Sequence, residues 1–379
     1  MANVVIQVGT KKGAFLLKGS PARDNWDLSG PFVGGIDVNH TVVDPRTATV
    51  YATANNTWFG PQVHYSKDFG ATWTPSEVNP RFSGDPVVKG MDDVPWFFRE
   101  GQVTERFWRI VPGRPEEPGA LYCGVAPGAL FESKDGGVTW AENTALSSHP
   151  TREGWQPSNG GLAMHSIVLD PDNLQRYWVA VSAGGVYRTE DGGASWNPAN
   201  TGIRDISATF DPNLPLYPES GQCVHMLAHA AGDNDRLYLQ THLGTYRTDD
   251  GGDHWTDITE GLPSEFGLTL AAHKSDSETA YVVPLQGGEL RCPPDFGLKV
   301  YRTADAGATW EPLTKGLPQD DAFMGVYRSA LCTDDLDPGG VYVGTNTGQL
   351  YVSSDNGDSW SLITQNLPPI TSVEATRLD

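Results

Sequence analysis

The chain has 379 residues, a net charge of −21 and only 19% charged residues, with 43 Gly, 28 Pro and 12 Trp. So acidic a surface repels phosphate backbones and anionic lipids, which excludes nucleic acid and membrane surfaces as expected partners. Gly and Pro are scattered rather than clustered, the pattern of many short strands joined by turns, and residues 1–379 are expected to form one repeat domain.

The first residues, MANVVIQVGTKKGAFLL, lack a charged segment followed by a long apolar run, so no signal peptide is expected. Nor does any stretch approach the apolar length of a membrane span. Cys123, Cys223, Cys292 and Cys332 show no C-x-x-C spacing. They read as reduced thiols of a cytoplasmic protein.

Residues 4–30 predict three strands, with Asp24 and Trp26 in the last connection. An octet then recurs six times: SKDFGATW at 66–73, SKDGGVTW at 133–140, TEDGGASW at 189–196, TDDGGDHW at 248–255, TADAGATW at 303–310 and SSDNGDSW at 353–360. In this pattern, S/T-x-D-x-G-x-x-W, the Asp can accept backbone N–H groups of a tight turn. The Gly permits a positive φ, and the Trp buries a large apolar face. The row of carboxylates therefore reads as scaffold rather than catalysis. Around each octet lie apolar segments such as HSIVLDP, YWVAVSAGGVYRTE and VYVGTNTGQLYVSS. Each unit predicts four short strands, A to D, with the octet between C and D.

Four-stranded units in tandem predict an all-β fold, a β-propeller. The first unit lacks strand A, and its Asp24–Trp26 segment is a degenerate octet. The closing residues TSVEATRLD supply one spare strand. Six octets and one degenerate copy thus give seven blades, closed by the C-terminal strand pairing with the N-terminal blade, which removes open sheet edges.

The octets resemble the Asp-box, or bacterial neuraminidase (BNR), repeat of sialidases, sortilin-type receptors, xyloglucanases and a photosystem assembly factor. The chain looks similar to stand-alone bacterial proteins described as sialidase-like or glycosyl hydrolase BNR-repeat proteins. That resemblance implies the fold but not one function. Sialidases share six blades, an arginine triad and an F/Y-R-I-P segment before the first box. Here the nearest segment, Trp108-Arg109-Ile110-Val111-Pro112, follows the first box and has an inserted Val. Arg109 and Arg328 are candidates for only two triad members, so sialidase activity itself is not expected.

Topology assigns faces. With strand A innermost, the D-to-A and B-to-C connections share one face and the octets lie on the other. The long connections 75–104, 143–161, 200–221, 55–61 and 284–297 all belong to the first face, and long ordered loops tend to be functional. His40, His165 and His225 fall near the starts of A strands. Arg109, Arg328 and Glu374 are expected within A strands, His242 after a B strand, and Trp58, Trp96 and Trp155 in long loops. Convergence of His165, His225 and Glu374 would give a catalytic group. His40, Arg109, Arg328, His242, Trp58 and Trp155 would bind substrate. His40, His165 and His225 would suit a divalent metal, Zn²⁺ or Mn²⁺. Without metal, the same groups suit an anionic substrate, with His as acid or base.

Two alternatives stay open at this level. Polar A-strand residues equally suit a water-filled channel, and loop tryptophans equally suit small cores under the loops. Cys223 is a weaker candidate nucleophile. Asp92, Asp93, Glu100 and Glu219 could supply a glycosidase acid/base pair. The function expected is a hydrolase or lyase acting on a small polar or carbohydrate-like ligand. The alternative is a non-catalytic ligand-binding or assembly propeller.

Overall fold

Each octet folds as a turn closed by its own side chains, in the computed structural model that describes residues 3–82, 104–157 and 161–378. At 189–196, Asp191 Oδ1 accepts the Ser195 backbone N–H (2.8 Å) and the Thr189 hydroxyl (2.8 Å), and Oδ2 accepts the Ser195 hydroxyl (2.6 Å). Thr189 Oγ1 in turn accepts the N–H of Gly193, whose φ of 87° opens the turn. These hydrogen bonds, led by those from Ser195, hold the Asp191 carboxyl below its ordinary range.

The turn also joins blades. The octet tryptophans Trp255 and Trp310 donate their indole N–H to the carbonyls of Ala199 and Ile258 in the preceding blade (2.9 and 2.7 Å). In the other direction, Trp178 Nε1 donates to Gly251 O (2.8 Å) and the Tyr281 hydroxyl donates to Asn356 O (3.0 Å), both in the next blade's octet. The octets are therefore structural. Asp191→Ala is expected to lower the melting temperature while leaving ligand affinity unchanged, as thermal denaturation and a binding titration on one preparation would show.

The strands form seven four-stranded antiparallel sheets. The innermost strands of blades 2 to 7 are Asp37–Asp44, Arg106–Pro112, Met164–Leu169, Val224–His229, Gly267–Ala272 and Leu331–Thr333. Blade 1 takes its innermost strand, Ile370–Leu378, from the C-terminus, paired with Asn3–Thr10 so that Glu374 lies opposite Gln7. A second tie closes the ring. Arg23, in the degenerate turn of blade 1, makes a buried bidentate pair with Asp334 of blade 7 (2.7 and 2.8 Å). Between blades the core is built from buried B-strand residues such as Tyr177, Trp178, Tyr238, Tyr281 and Tyr342.

The alternating strand directions put the octets on one face and the D-to-A and B-to-C connections on the other, as the topology requires. Two of those connections differ from expectation. The 55–61 connection is a tight hairpin: Asn56 still pairs with Gly60, and Asn56 Oδ1 accepts the N–H groups of Trp58 and Phe59. Connection 143–161 carries a short helix, Thr144–Ser147, and a 3-10 turn, Pro150–Gly154, which cover Leu146 and Trp155. Most of connection 75–104, with Asp92, Asp93, Trp96 and Glu100, lies outside the described residues. All four cysteines are free thiols. Among the described residues no helix is long and apolar enough to cross a membrane.

Candidate functional site

The innermost strands of blades 2 to 5 share a β-bulge near their starts. Pairing slips between Val38 and His40, Phe107 and Arg109, Met164 and Ser166, and Val224 and Met226. The bulged residues are Asn39, Trp108, His165 and His225. A bulge re-aims its side chain, so His165 and His225 are equivalent, whereas His40 matches Ser166 one position further on. The three histidines therefore do not share one kind of site, as their spacing from the strand starts had suggested.

Their partners confirm the division. His40 Nε2 donates to Glu374 Oε1 (3.0 Å), which also accepts from Arg109 Nη2 (2.8 Å). Burial alone would raise the Glu374 pKa, but Arg109 and the His40 hydrogen bond overcome it and hold the carboxyl at about 2. Glu374 is thus a fixed anion, unsuited to proton donation near neutral pH. His165 is fully enclosed, with Nε2 on the Val224 carbonyl (3.0 Å) and Nδ1 on the Ser166 hydroxyl (3.0 Å). Burial, then the charge of Arg328, push its pKa well down. His40 and His165 rivet adjacent blades and have no ring nitrogen placed with His225 in a common ligand set; the histidine set expected for a metal does not assemble.

His225 lies in a different setting. Its Nδ1 donates to the Gly267 carbonyl (2.5 Å), leaving the Nε2 lone pair facing Cys223 Sγ at 3.5 Å. The His242 ring stands edge-on to His225 at 5.5 Å between centroids, and both contact Phe266. Burial lowers the pKa of both imidazoles, helped at His225 by Arg328 and at His242 by Arg291 and then Arg328. Burial raises the Cys223 thiol, an effect Arg328 partly offsets. Near neutral pH the three groups are uncharged.

Two cavities of about 590 Å³ lie at the ends of the channel. The one at the octet end includes Arg109, Arg114, His273, Lys274 and Glu374. Two of its charges are already matched: Glu374 by Arg109, and Arg114 by Glu117 (2.8 Å). Arg109 and Glu374 therefore open away from the loop-rich mouth at which they were expected. The cavity at that mouth is lined by Cys223, His225, His242, Phe266, Arg291 and Arg328, with Asp205 its one acidic group among the described residues. Arg328 precedes the innermost strand of blade 7 rather than lying within it. It crosses the channel to the Ser182 hydroxyl of blade 4 (3.3 Å), and its buried Nε has no hydrogen-bond partner. Arg291 donates to the Gly288 carbonyl (3.2 Å). Among the described residues no carboxylate forms an ion pair with either arginine, in a chain of net charge −21.

The tryptophans divide likewise. Trp155 is 4% exposed, donates to the Tyr187 hydroxyl (2.8 Å) and has the Arg152 guanidinium over its ring, so it forms a core under its loop and offers no face to a ligand. Trp58 is exposed on the loop-rich face. Glu219 is exposed and does not line the mouth cavity. The sequence reading passed over Arg291, Asp205 and Phe266; Arg291 does sit in the enlarged 284–297 connection, which is the signal that could have found it.

These features define a seven-bladed propeller with an electropositive cavity, bearing uncharged Cys and His groups, at its loop-rich mouth. No protein-family model matches the chain. It is 24% identical over 293 residues to a probable oligoxyloglucan-reducing end-specific xyloglucanase of Neosartorya fischeri, covering 70% of this chain and 32% of that protein. The chain spans roughly a third of the length of the first curated relatives it matches. Among solved structures it is similar to a GH74 enzyme of Niastella koreensis (TM-score 0.59, 19% identity, 94% of this chain and 51% of that one). It is also similar to YCF48 bound to D1 peptide (TM-score 0.51, 15% identity, 86% and 81%). At these identities the structural likeness is one of fold.

Proposed function

We propose that the protein is a hydrolase acting on a carbohydrate-class substrate that carries an anionic group, bound in the loop-rich mouth. The observation that carries this reading is the pair Arg291 and Arg328, which share that cavity with no carboxylate ion-paired to either among the described residues. Guanidinium groups pair well with carboxylate, sulfate or phosphate oxygens. Beside them, Cys223, His225 and His242 bring uncharged polar groups to the same cavity. Phe266, largely buried behind the two imidazoles, adds apolar wall to the same cavity. The likeness to xyloglucanases supports the carbohydrate class.

The test is a hydrolysis panel. Neutral xyloglucan oligosaccharides and oligosaccharides bearing uronate or sulfate groups are incubated with the full chain, and new reducing ends are counted. Turnover is expected on the acidic set. Arg328→Ala is expected to lower kcat/KM there by about 10- to 100-fold, the equivalent of one charged hydrogen bond of about 1.5–3 kcal/mol. Turnover of neutral oligosaccharides alone, unchanged in Arg328→Ala, would contradict the anionic part of the proposal.

A second reading, a binding or assembly platform, is favoured by one observation. Trp58, Phe59, Phe210, Tyr217, Leu290 and Phe323 are exposed and all belong to connections of the loop-rich face. An apolar rim of this kind suits docking. Binding of a ligand at the mouth with no turnover of any member of the panel would support this second reading.

A further inference from the structure

We infer that Cys223, His225 and His242 hold a zinc ion at the mouth of the channel, with a fourth coordination position open to the cavity that Arg291 and Arg328 flank. The Cys223 sulfur and one nitrogen from each ring lie within 4.8 Å of one another. Cys223 Sγ and His225 Nε2 are 3.5 Å apart. Zinc bonds of about 2.3 Å to sulfur and about 2.0 Å to nitrogen, at a tetrahedral angle, separate the two ligand atoms by about 3.5 Å.

The backbone organises this set. Val224 pairs with Thr241, and one step outward the His242 N–H donates to the Cys223 carbonyl (3.0 Å), so the two ligand-bearing segments are tied to each other. The bulge between Val224 and Met226 re-aims His225. The Gly267 carbonyl then fixes the His225 tautomer by accepting from Nδ1, the outer-shell contact that directs a ligand imidazole's other nitrogen at a metal.

The donor set selects the ion. A thiolate with two imidazoles suits zinc, whereas manganese and magnesium favour oxygen ligands. Three protein ligands and one open position are the arrangement of a catalytic rather than a structural zinc site. A zinc ion there would supply a Lewis acid and an activated water beside the two arginines. That role rests on the hydrolase reading, whereas the presence of the ion does not.

The experiment is elemental analysis of the purified full chain after exposure to zinc and gel filtration in metal-free buffer. About one zinc per chain is expected, with at least a tenfold loss in Cys223→Ser and in His242→Gln and full retention in His40→Gln. Cobalt substitution should give a thiolate-to-cobalt charge-transfer band that Cys223→Ser abolishes. Should Cys223→Ser fail to fold, His242→Gln and the wild-type cobalt spectrum carry the test. A folded wild-type chain without zinc, or variants that keep it, would overturn the inference. So would rapid alkylation of Cys223 by iodoacetamide that added zinc does not slow, which would point to a reactive thiol instead. Metal content is read without any substrate, so failure here is distinguishable from failure of the hydrolase reading.

Discussion

Truncation after residue 371 is expected to abolish cooperative folding. The C-terminal strand makes eight register pairs with Asn3–Thr10, and its Val373 is fully buried. At about 1 kcal/mol per backbone hydrogen bond and about 1.5–3 kcal/mol for a buried Val, the loss is on the order of 5–10 kcal/mol, the scale of a whole domain's stability. It would also bare the inner edge of Val4, Val5, Ile6 and Val8, an invitation to pair with other chains. Removing Glu374 would leave Arg109 and His40 without their shared acceptor. Calorimetry of the truncated chain should show no cooperative transition, or aggregation. A soluble truncation with an unchanged melting temperature would refute closure by this strand.

Arg23→Ala should destabilise the protein by about 3–5 kcal/mol at pH 7, because it strands a buried carboxylate. The Arg23 and Asp334 side chains are only 4% and 1% exposed. Asp334 also accepts from the Tyr342 hydroxyl (2.7 Å) and the Gly340 N–H (2.8 Å), and Arg23 reaches the Pro338 carbonyl (2.6 Å). Burial would raise the Asp334 pKa, but Arg23, Tyr342 and Gly340 together hold it below its ordinary value. A depressed carboxyl contributes stability that is fully present above the unfolded pKa of about 3.9 and is lost as pH falls through the lower folded value. The gap between wild type and Arg23→Ala should therefore narrow in acid. Urea unfolding at neutral pH and below pH of about 3 would show this. Equal stabilities at neutral pH, or a gap independent of pH, would contradict it.

The fold was legible because the octet repeats its chemistry at every blade: one Asp, one Gly and one Trp, each with a local reason to be there. Closure was legible from a missing strand at one end and a spare one at the other. The site was less so. Which side chain faces which cavity is decided by bulges, and nothing local separates VNHTVV from MHSIVL. Yet Asn39 takes the bulge in the first and His165 in the second. Depth along the channel was equally hidden, so Glu374 and Arg109 were expected at the end opposite the one to which they open. For Trp155 a ligand platform and a small core were equally open, because a loop length does not reveal that Tyr187 lies beneath it. His242 and Cys223 could have been matched, since continuing the pairing of Leu237–Thr241 with Val224–His229 by one step sets them opposite each other.

The placement of chemistry at the loop-rich mouth is tested most directly by a crystal of the protein soaked with an acidic oligosaccharide. The geometry predicts ligand density in the mouth cavity, with its anionic group on Arg291 and Arg328 and its rings near Phe266. Density at the octet turns, or in the opposite cavity beside His273 and Lys274 with the mouth empty, would contradict it.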